Sequence, residues 1–332
     1  MPTTATSAGK APPDQDQAAP PRRRKRRRLV TLTRADKIIL GVMIGVPTLM
    51  HVALVWVPTL SSIALSFTEW PGAAKFENLQ FVGGQNYHEI TTIYPPFWPA
   101  VQHNVLWLLF LLCVPTTIGL FLAYLLDMNL KGSRIYQSVI FTPVVLSLAL
   151  VGFIWELIYK NDSGLLNNVI RAMGSNLGID SMANFSHAWL ADPSVNLWAV
   201  MIAAGWRHIG YVMILFLAGL KSVDQGLKEA ASLDGAGEWQ TFRHVIFPSL
   251  APINVVVLVI TIIEALRAFD IVYVINGGRN GLELLSVLVT ENVIGEGARL
   301  GYGSALGVIL LLISLVVIMP YLYRVYKNDT VR

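Results

Sequence analysis

Hydrophobic residues along this chain gather into six long runs, separated by polar stretches that carry most of its Asn, Asp and basic residues. A helix needs about 20 apolar residues to cross the hydrocarbon core of a bilayer. Six segments reach that length, at residues 38–67, 101–126, 139–159, 195–220, 252–275 and 302–323. They predict an all-α, polytopic membrane protein with six transmembrane helices. The first run is long enough to tilt or to extend past the bilayer. Pro47, Pro58, Pro115 and Pro143 lie inside runs, which membrane helices tolerate because neighbouring groups re-satisfy the freed backbone.

Composition agrees with that pattern. Of 332 residues, 54% are hydrophobic and only 14% charged, whereas a soluble domain carries about 25% charged residues. The single cysteine, Cys113, lies in an apolar run; it cannot close an internal disulfide and reads as a buried structural thiol. Residues 1–36 stand apart. They are rich in Pro, Ala, Gln and Thr with no apolar period, and read as a disordered cytoplasmic tail.

The tail contains a basic cluster, "RRRKRRR", at residues 22–28. Such a block can mark nucleic-acid binding or nuclear targeting. Just ahead of a span it reads instead as an anchor on anionic membrane lipid, with no nucleic acid involved. The run that follows is too long for a signal peptide. With the tail inside, the cytoplasmic segments carry Lys131 and Arg134, then Lys221, Lys228 and Arg243, then Arg324, Lys327 and Arg332. The opposite loops hold Lys75, then Lys160 and Arg171, then Arg279 and Arg299. This bias places both termini in the cytoplasm of a multi-pass protein of the plasma (inner) membrane. Residues 37–332 are then its membrane domain.

One cytoplasmic segment, residues 221–250, is long and contains "EAASLDGAGEWQTFRHVIFP" at 229–248. Ser222 to Gln225 fits a capping box, and Asp224 itself fits an N-cap. Leu227, Ala230 and Ala231 recur at helical spacing and form a short apolar face. Asp234-Gly235 is a turn signal, and Pro248, lacking an N–H, disfavours helix beyond it. The pattern predicts two short helices at an angle on the cytoplasmic surface. By itself it fits a docking element for a partner or an amphipathic connector lying on the membrane.

The segment resembles the signature loop of permease subunits in binding-protein-dependent ABC importers: Glu-Ala-Ala, three residues, Gly, nine residues, Ile, one residue, Leu-Pro. Glu229, Ala230, Ala231, Gly235 and Pro248 match in register; Val245 replaces Ile and Phe247 replaces Leu, each still apolar. "FVGGQNYHEI" (81–90), "AFDIVYVINGGRN" (268–280) and "GYGSALGVILLLI" (301–313) resemble segments of sugar permeases of the maltose and glycerol-3-phosphate type. The likeness covers roughly residues 36–332. It implies the type I ABC importer permease fold, with 221–250 as a coupling loop seated in a cleft of an ABC ATPase dimer. It also implies a second permease subunit, usually a different chain, and an extracellular sugar-binding protein that delivers a di- or oligosaccharide. Mg-ATP would sit on the partner ATPase, with no cofactor in this chain.

The chain's own motifs agree with a non-enzyme. It has no G-x-x-x-x-G-K-[ST] phosphate loop and no G-x-S-x-G elbow. His88-Glu89 is followed by Thr92 where a zinc protease has His, so no metal site is read. Ionisable residues at membrane depth are rare and face a cavity or a partner. The fourth run holds Arg207, His208 and Tyr211, and the fifth holds Thr261, Glu264, Arg267 and Asp270. Arg207 and Glu264 each fall about 18–20 Å from the cytoplasmic end at 1.5 Å per residue, near mid-membrane.

These seven are expected to line the substrate path. Glu264 and Arg267 equally fit an i, i+3 pair on one helix. His208 and Tyr211 share a face and read as sugar contacts, Tyr211 through its ring and hydroxyl. By the maltose-type resemblance, the sugar sits between these two helices, with Tyr211 and Thr261 near the implied positions. Trp155 and Glu156 fit an outer gate, and a Trp there equally fits an interfacial anchor. Two other readings stay open. One is a permease for glycerol phosphate or a polyol, with Arg207 and Arg267 as phosphate ligands. The other is a membrane-embedded enzyme using Glu264 or Asp270 as acid or base.

Overall fold

A computed structural model describes residues 33–71, 79–128, 130–295 and 298–330. Most of the expected disordered tail, including the basic cluster, lies outside the described residues, as does Lys75. The chain divides into two units, Met1–Val55 and Trp56–Arg332. In the first, helix α1 (Arg34–His51) buries none of its residues. It begins inside the expected tail, at Arg34 rather than after residue 36. The reason is a closed capping box: Asp36 N donates to Thr33 Oγ1 at 3.2 Å, and Thr33 N donates to Asp36 Oδ2 at 2.9 Å. Two otherwise orphan donors are thereby satisfied.

The second unit opens with α2 (Val57–Leu65), then an antiparallel pair, β1 (Thr68–Glu69) with β2 (Gln80–Phe81), and the short α3 (Gln85–Thr92). Next come α4 (Phe97–Cys113) and α5 (Pro115–Asp127), α6 (Ser133–Val145) and α7 (Leu148–Tyr159), and α8 (Leu165–Leu177) with α9 (Asp180–Ala183). The long α10 (Asn196–Ser222) follows, then α11 (Gln225–Leu233), α12 (Glu238–Thr241) and α13 (Phe247–Ser249). The chain ends with α14 (Ala251–Leu266), α15 (Asp270–Asn276), α16 (Leu285–Ile294) and α17 (Leu300–Thr330).

Among the described residues, four helical stretches are long and apolar enough to cross a membrane: Arg34–Leu65, Phe97–Asp127, Asn196–Ser222 and Leu300–Pro320. Two further candidates are bent. Ser133–Val145 and Leu148–Tyr159 meet at 101°, and Glu238–Ser249 and Ala251–Asn276 meet at 71°. The protein is therefore a multi-pass, predominantly helical membrane protein, with corrections to the expected spans. The run at 139–159 is not one helix. It breaks at Leu146, and α7 restarts because Ser147 caps it, accepting from Leu150 N at 3.2 Å. Helix also continues past Pro248, which sits in the first turn of α13, where a missing N–H costs nothing. The bend falls instead at Leu250, ahead of Pro252.

The fifth span is interrupted after Leu266 and resumes at Asp270. The ten-residue α16 was not expected, and at about 15 Å it is too short to cross. Cys113 is exposed on the helix surface rather than buried.

Helix α10 is the axle of the bundle. In its most apolar stretch 61% of residues are buried, against 22% for Phe97–Asp127. Without a hydrophobic drive between helices in lipid, close association relies on small residues that let backbones approach. At Gly119 of α5, an added Cβ would lie 2.9 Å from Val212 Cγ1 and 3.1 Å from the Ile209 carbonyl oxygen of α10. At Gly210 of α10 it would collide with the Ile140 carbonyl of α6. One apolar cluster, around Val200, Ala203, Ala265 and Ile271, packs the middle of the unit. A second, around Met213, Phe216, Ile246 and Leu250, packs the end that carries α11.

Candidate functional site

The middle of α10 places Arg207 and His208 beside α14. His208 is 2% exposed and Thr261 fully buried, while Glu264 keeps 31% of its side chain exposed and Arg207 20%. Arg207 Nη1 donates to Glu264 Oε1 at 3.3 Å, and His208 Nδ1 lies 2.8 Å from Glu264 Oε2. His208 Nε2 lies 3.0 Å from Thr261 Oγ1. The i, i+3 pair of Glu264 with Arg267 does not form; Glu264 turns to α10 instead.

The Thr261 hydroxyl also donates to the Val257 carbonyl at 2.7 Å, so each polar side chain of the cluster has a partner. Charged groups persist in a low-dielectric interior only when paired and hydrogen-bonded, and Arg207 and Glu264 are paired with one another.

The cluster also reaches the broken third span. Arg207 Nε donates at 3.3 Å to the carbonyl of Leu146, the residue at the break. Buried helix ends leave carbonyls in need of a partner, so α10 completes the end of α6. Spans three, four and five thus meet at one group of side chains.

The other residues expected on the path are dispersed around it. Tyr211 is half-buried one turn along α10, and its hydroxyl has no hydrogen-bond partner among the described residues. Arg267 and Asp270 flank the interruption of the fifth span, both exposed, with no ion pair among the described residues. Asp270 opens α15, the end of a helix that favours an acid. Glu156 is exposed, while Trp155 is half-buried and joins a run of rings. Trp206 and Trp155 lie 5.9 Å apart, Trp155 and Tyr159 5.1 Å, and Tyr159 and Trp189 6.3 Å. The Trp155 indole N–H is buried without a partner among the described residues. The sequence marks Trp155 and Trp206 as aromatic but gives no sign that they touch.

The second candidate region is α11 to α13. Asp224 caps α11 by accepting from Gly226 N at 2.9 Å. Ser222 takes no part: it ends α10 and donates to the Gly219 carbonyl. At the other end Gly235, at φ +79°, reverses the chain. Ala236 N donates to the Ala231 carbonyl and Gly235 N to the Ser232 carbonyl, the paired bonds of a left-handed helix stop. Glu229, Ala230, Gly235 and Pro248 are exposed, and Ala231 is buried. Leu227, Ala230, Asp234, Gln240 and His244 line a groove of about 430 Å³. Leu233 (89%) and Trp239 (68%) stand out from the segment.

Comparison with known proteins bears on both regions. Residues 115–331 match the family described as "Binding-protein-dependent transport system inner membrane component". The chain is 32% identical over 287 residues to the xylose/arabinose import permease protein of Haloferax volcanii, covering 86% of this chain and 87% of that one. It is 31% identical over 243 residues to the trehalose/maltose transport system permease protein of Thermococcus litoralis, covering 73% and 79%. The fold resembles the crystal structure of a bacterial ABC transporter involved in the import of the acidic polysaccharide alginate. The TM-score is 0.73 at 19% identity, over 88% of this chain and 96% of that one.

Proposed function

This chain belongs to the family of binding-protein-dependent transport system inner membrane components, and from that premise we propose that it is the permease subunit of an ATP-driven sugar importer. An extracellular binding protein delivers a di- or oligosaccharide to the end of the bundle opposite α11. An ABC ATPase dimer, which holds Mg-ATP, docks on α11–α13 from the cytoplasm. A second permease subunit completes the path, and both termini of this chain are cytoplasmic.

The observation that carries the sugar reading is the Glu264 carboxylate. It has about four acceptor positions; Arg207 and His208 occupy two, and its side chain is still 31% exposed. A sugar hydroxyl donates to the open edge, while the aromatic faces of Trp206 and Tyr211 suit a sugar ring. His208 and Thr261 lie behind Glu264 and hold it in place. Closure of the ATPase dimer moves α11, and the joint at Leu146 and Arg207 lets the three spans rearrange between inward and outward openings.

The exposed Arg267 favours a second reading, in which the sugar carries an acid group. The test is uptake by the reconstituted complex of labelled neutral and acidic oligosaccharides. ATP-dependent uptake of at least one is expected, and Tyr211→Ala should reduce it while the subunits still co-purify. If Tyr211→Ala abolishes assembly instead, Tyr211 is a packing residue and leaves the path.

A further inference from the structure

We propose that Lys228 and Asp127 form the strut through which α11 moves the membrane spans; this rests on the importer reading above. Lys228 Nζ donates to Asp127 Oδ2 at 2.9 Å, and the two side chains are only 23% and 18% exposed. The residues are 101 apart in sequence. Among the described residues, this is the only side-chain hydrogen bond or ion pair that leads from α11 to a membrane span. Elsewhere α11 buries only Ala231, so little apolar packing ties it down.

Asp127 is the last residue of α5. A carboxylate at a helix C-terminus opposes the helix dipole, so the position is unfavourable unless a cation stands beside it. Lys228 is that cation. Next to the pair, the Tyr124 and Phe242 rings meet edge to face at 5.0 Å, holding the inner end of α5 against the second half of the segment.

From Asp127 the path continues along a rigid helix. Gly119 lies eight residues back, about 12 Å, pressed against Val212 and the Ile209 carbonyl of α10. Ile209 follows His208 directly. A displacement of α11 therefore reaches the Arg207–His208–Glu264 cluster through one ion pair, two turns of helix and one close backbone contact. Contiguous packed elements of this kind carry coupling between distant sites.

The test uses the assembled transporter in proteoliposomes, with uptake and ATP hydrolysis measured on one preparation. Lys228→Met is expected to lower the sugar carried per ATP hydrolysed about tenfold, with hydrolysis and assembly retained. Lys228→Arg keeps the charge and most of the coupling. Asp127→Lys and Lys228→Asp each lower the ratio at least as far, and the two together restore it to within about threefold of the parent. A pair that only holds the fold would lower assembly and hydrolysis together and leave the ratio unchanged, which overturns the strut. A double reversal no better than its single members overturns it too, and decides the question if Lys228→Met fails to assemble. Absence of ATP-driven uptake in the unmodified complex is a different failure: it removes the importer reading and the strut with it.

Discussion

The mid-bundle cluster and the α11–α13 segment are built on opposite principles. In the cluster, four polar side chains from two helices satisfy one another in an apolar setting, and His208 and Thr261 are almost wholly enclosed. In the segment, large apolar side chains stand in the open, Leu233 at 89% and Trp239 at 68%. The backbone there is held by local devices, the Asp224 cap and the Gly235 stop. A cluster whose charges are paired internally resists change, because breaking one bond leaves a charge unpaired. A segment with unspent apolar surface is complete only when something covers it. In the importer we propose, the segment receives the force and the cluster responds.

The largest expected effect comes from breaking the cluster. Glu264→Ala leaves Arg207 and His208 without their shared acceptor, a loss of about 1.5–3 kcal/mol for hydrogen bonds to a charged group. Uptake should fall at least about a hundredfold, with a clear drop in thermal stability in detergent. Unchanged stability would mean that the cluster does not join the spans. Next is the stop at Gly235. A β-branched residue at φ +79° costs about 1–2 kcal/mol, so Gly235→Val should impair ATP-driven uptake with membrane insertion intact. Gly235→Asn, which tolerates this conformation, should behave nearly as the parent, and equal damage from both would deny the backbone explanation.

A smaller effect tests the other half of the comparison. Leu233→Ser removes an exposed side chain, so stability should change by less than about 0.5 kcal/mol. Association with the ATPase, measured by titration, should weaken about tenfold; unaltered binding would place Leu233 outside the interface.

The smallest effect lies away from both regions, at Glu89 in α3. Its carboxyl is held below its ordinary value of 4.5, first by Gln85, which donates a hydrogen bond, and then by Arg299. A depressed carboxylate contributes stability above its unfolded value and loses it as pH falls through the folded one. Thermal stability should therefore decline slightly below pH 4.5, with a shallower slope in Glu89→Gln. An identical slope would assign the acid sensitivity to other carboxylates.

Much of the α11–α13 segment was legible from residues alone. Gly235 and Asp224 act through backbone stereochemistry and a contact two residues away, so their roles follow from local spacing. The cluster was legible only as a set of unusual residues at similar depth. Glu264 had two arginines within reach, Arg267 on its own helix and Arg207 on α10, and depth alone does not choose between them. Lys228 read as one basic loop residue among several, because its partner lies 101 positions away.

By itself, the sequence determined the apolar runs, their sidedness bias, the signature segment and its glycine stop, because each depends on composition or on neighbours within a turn or two. Only the tertiary structure decided that the third run folds back at Leu146, that Glu264 faces α10, and that Asp127 meets Lys228. Those outcomes depend on how far each helix is rotated about its axis and how closely its backbone approaches the next. That is set by contacts such as Gly119 on Ile209 and Gly210 on Ile140, between residues far apart in the chain.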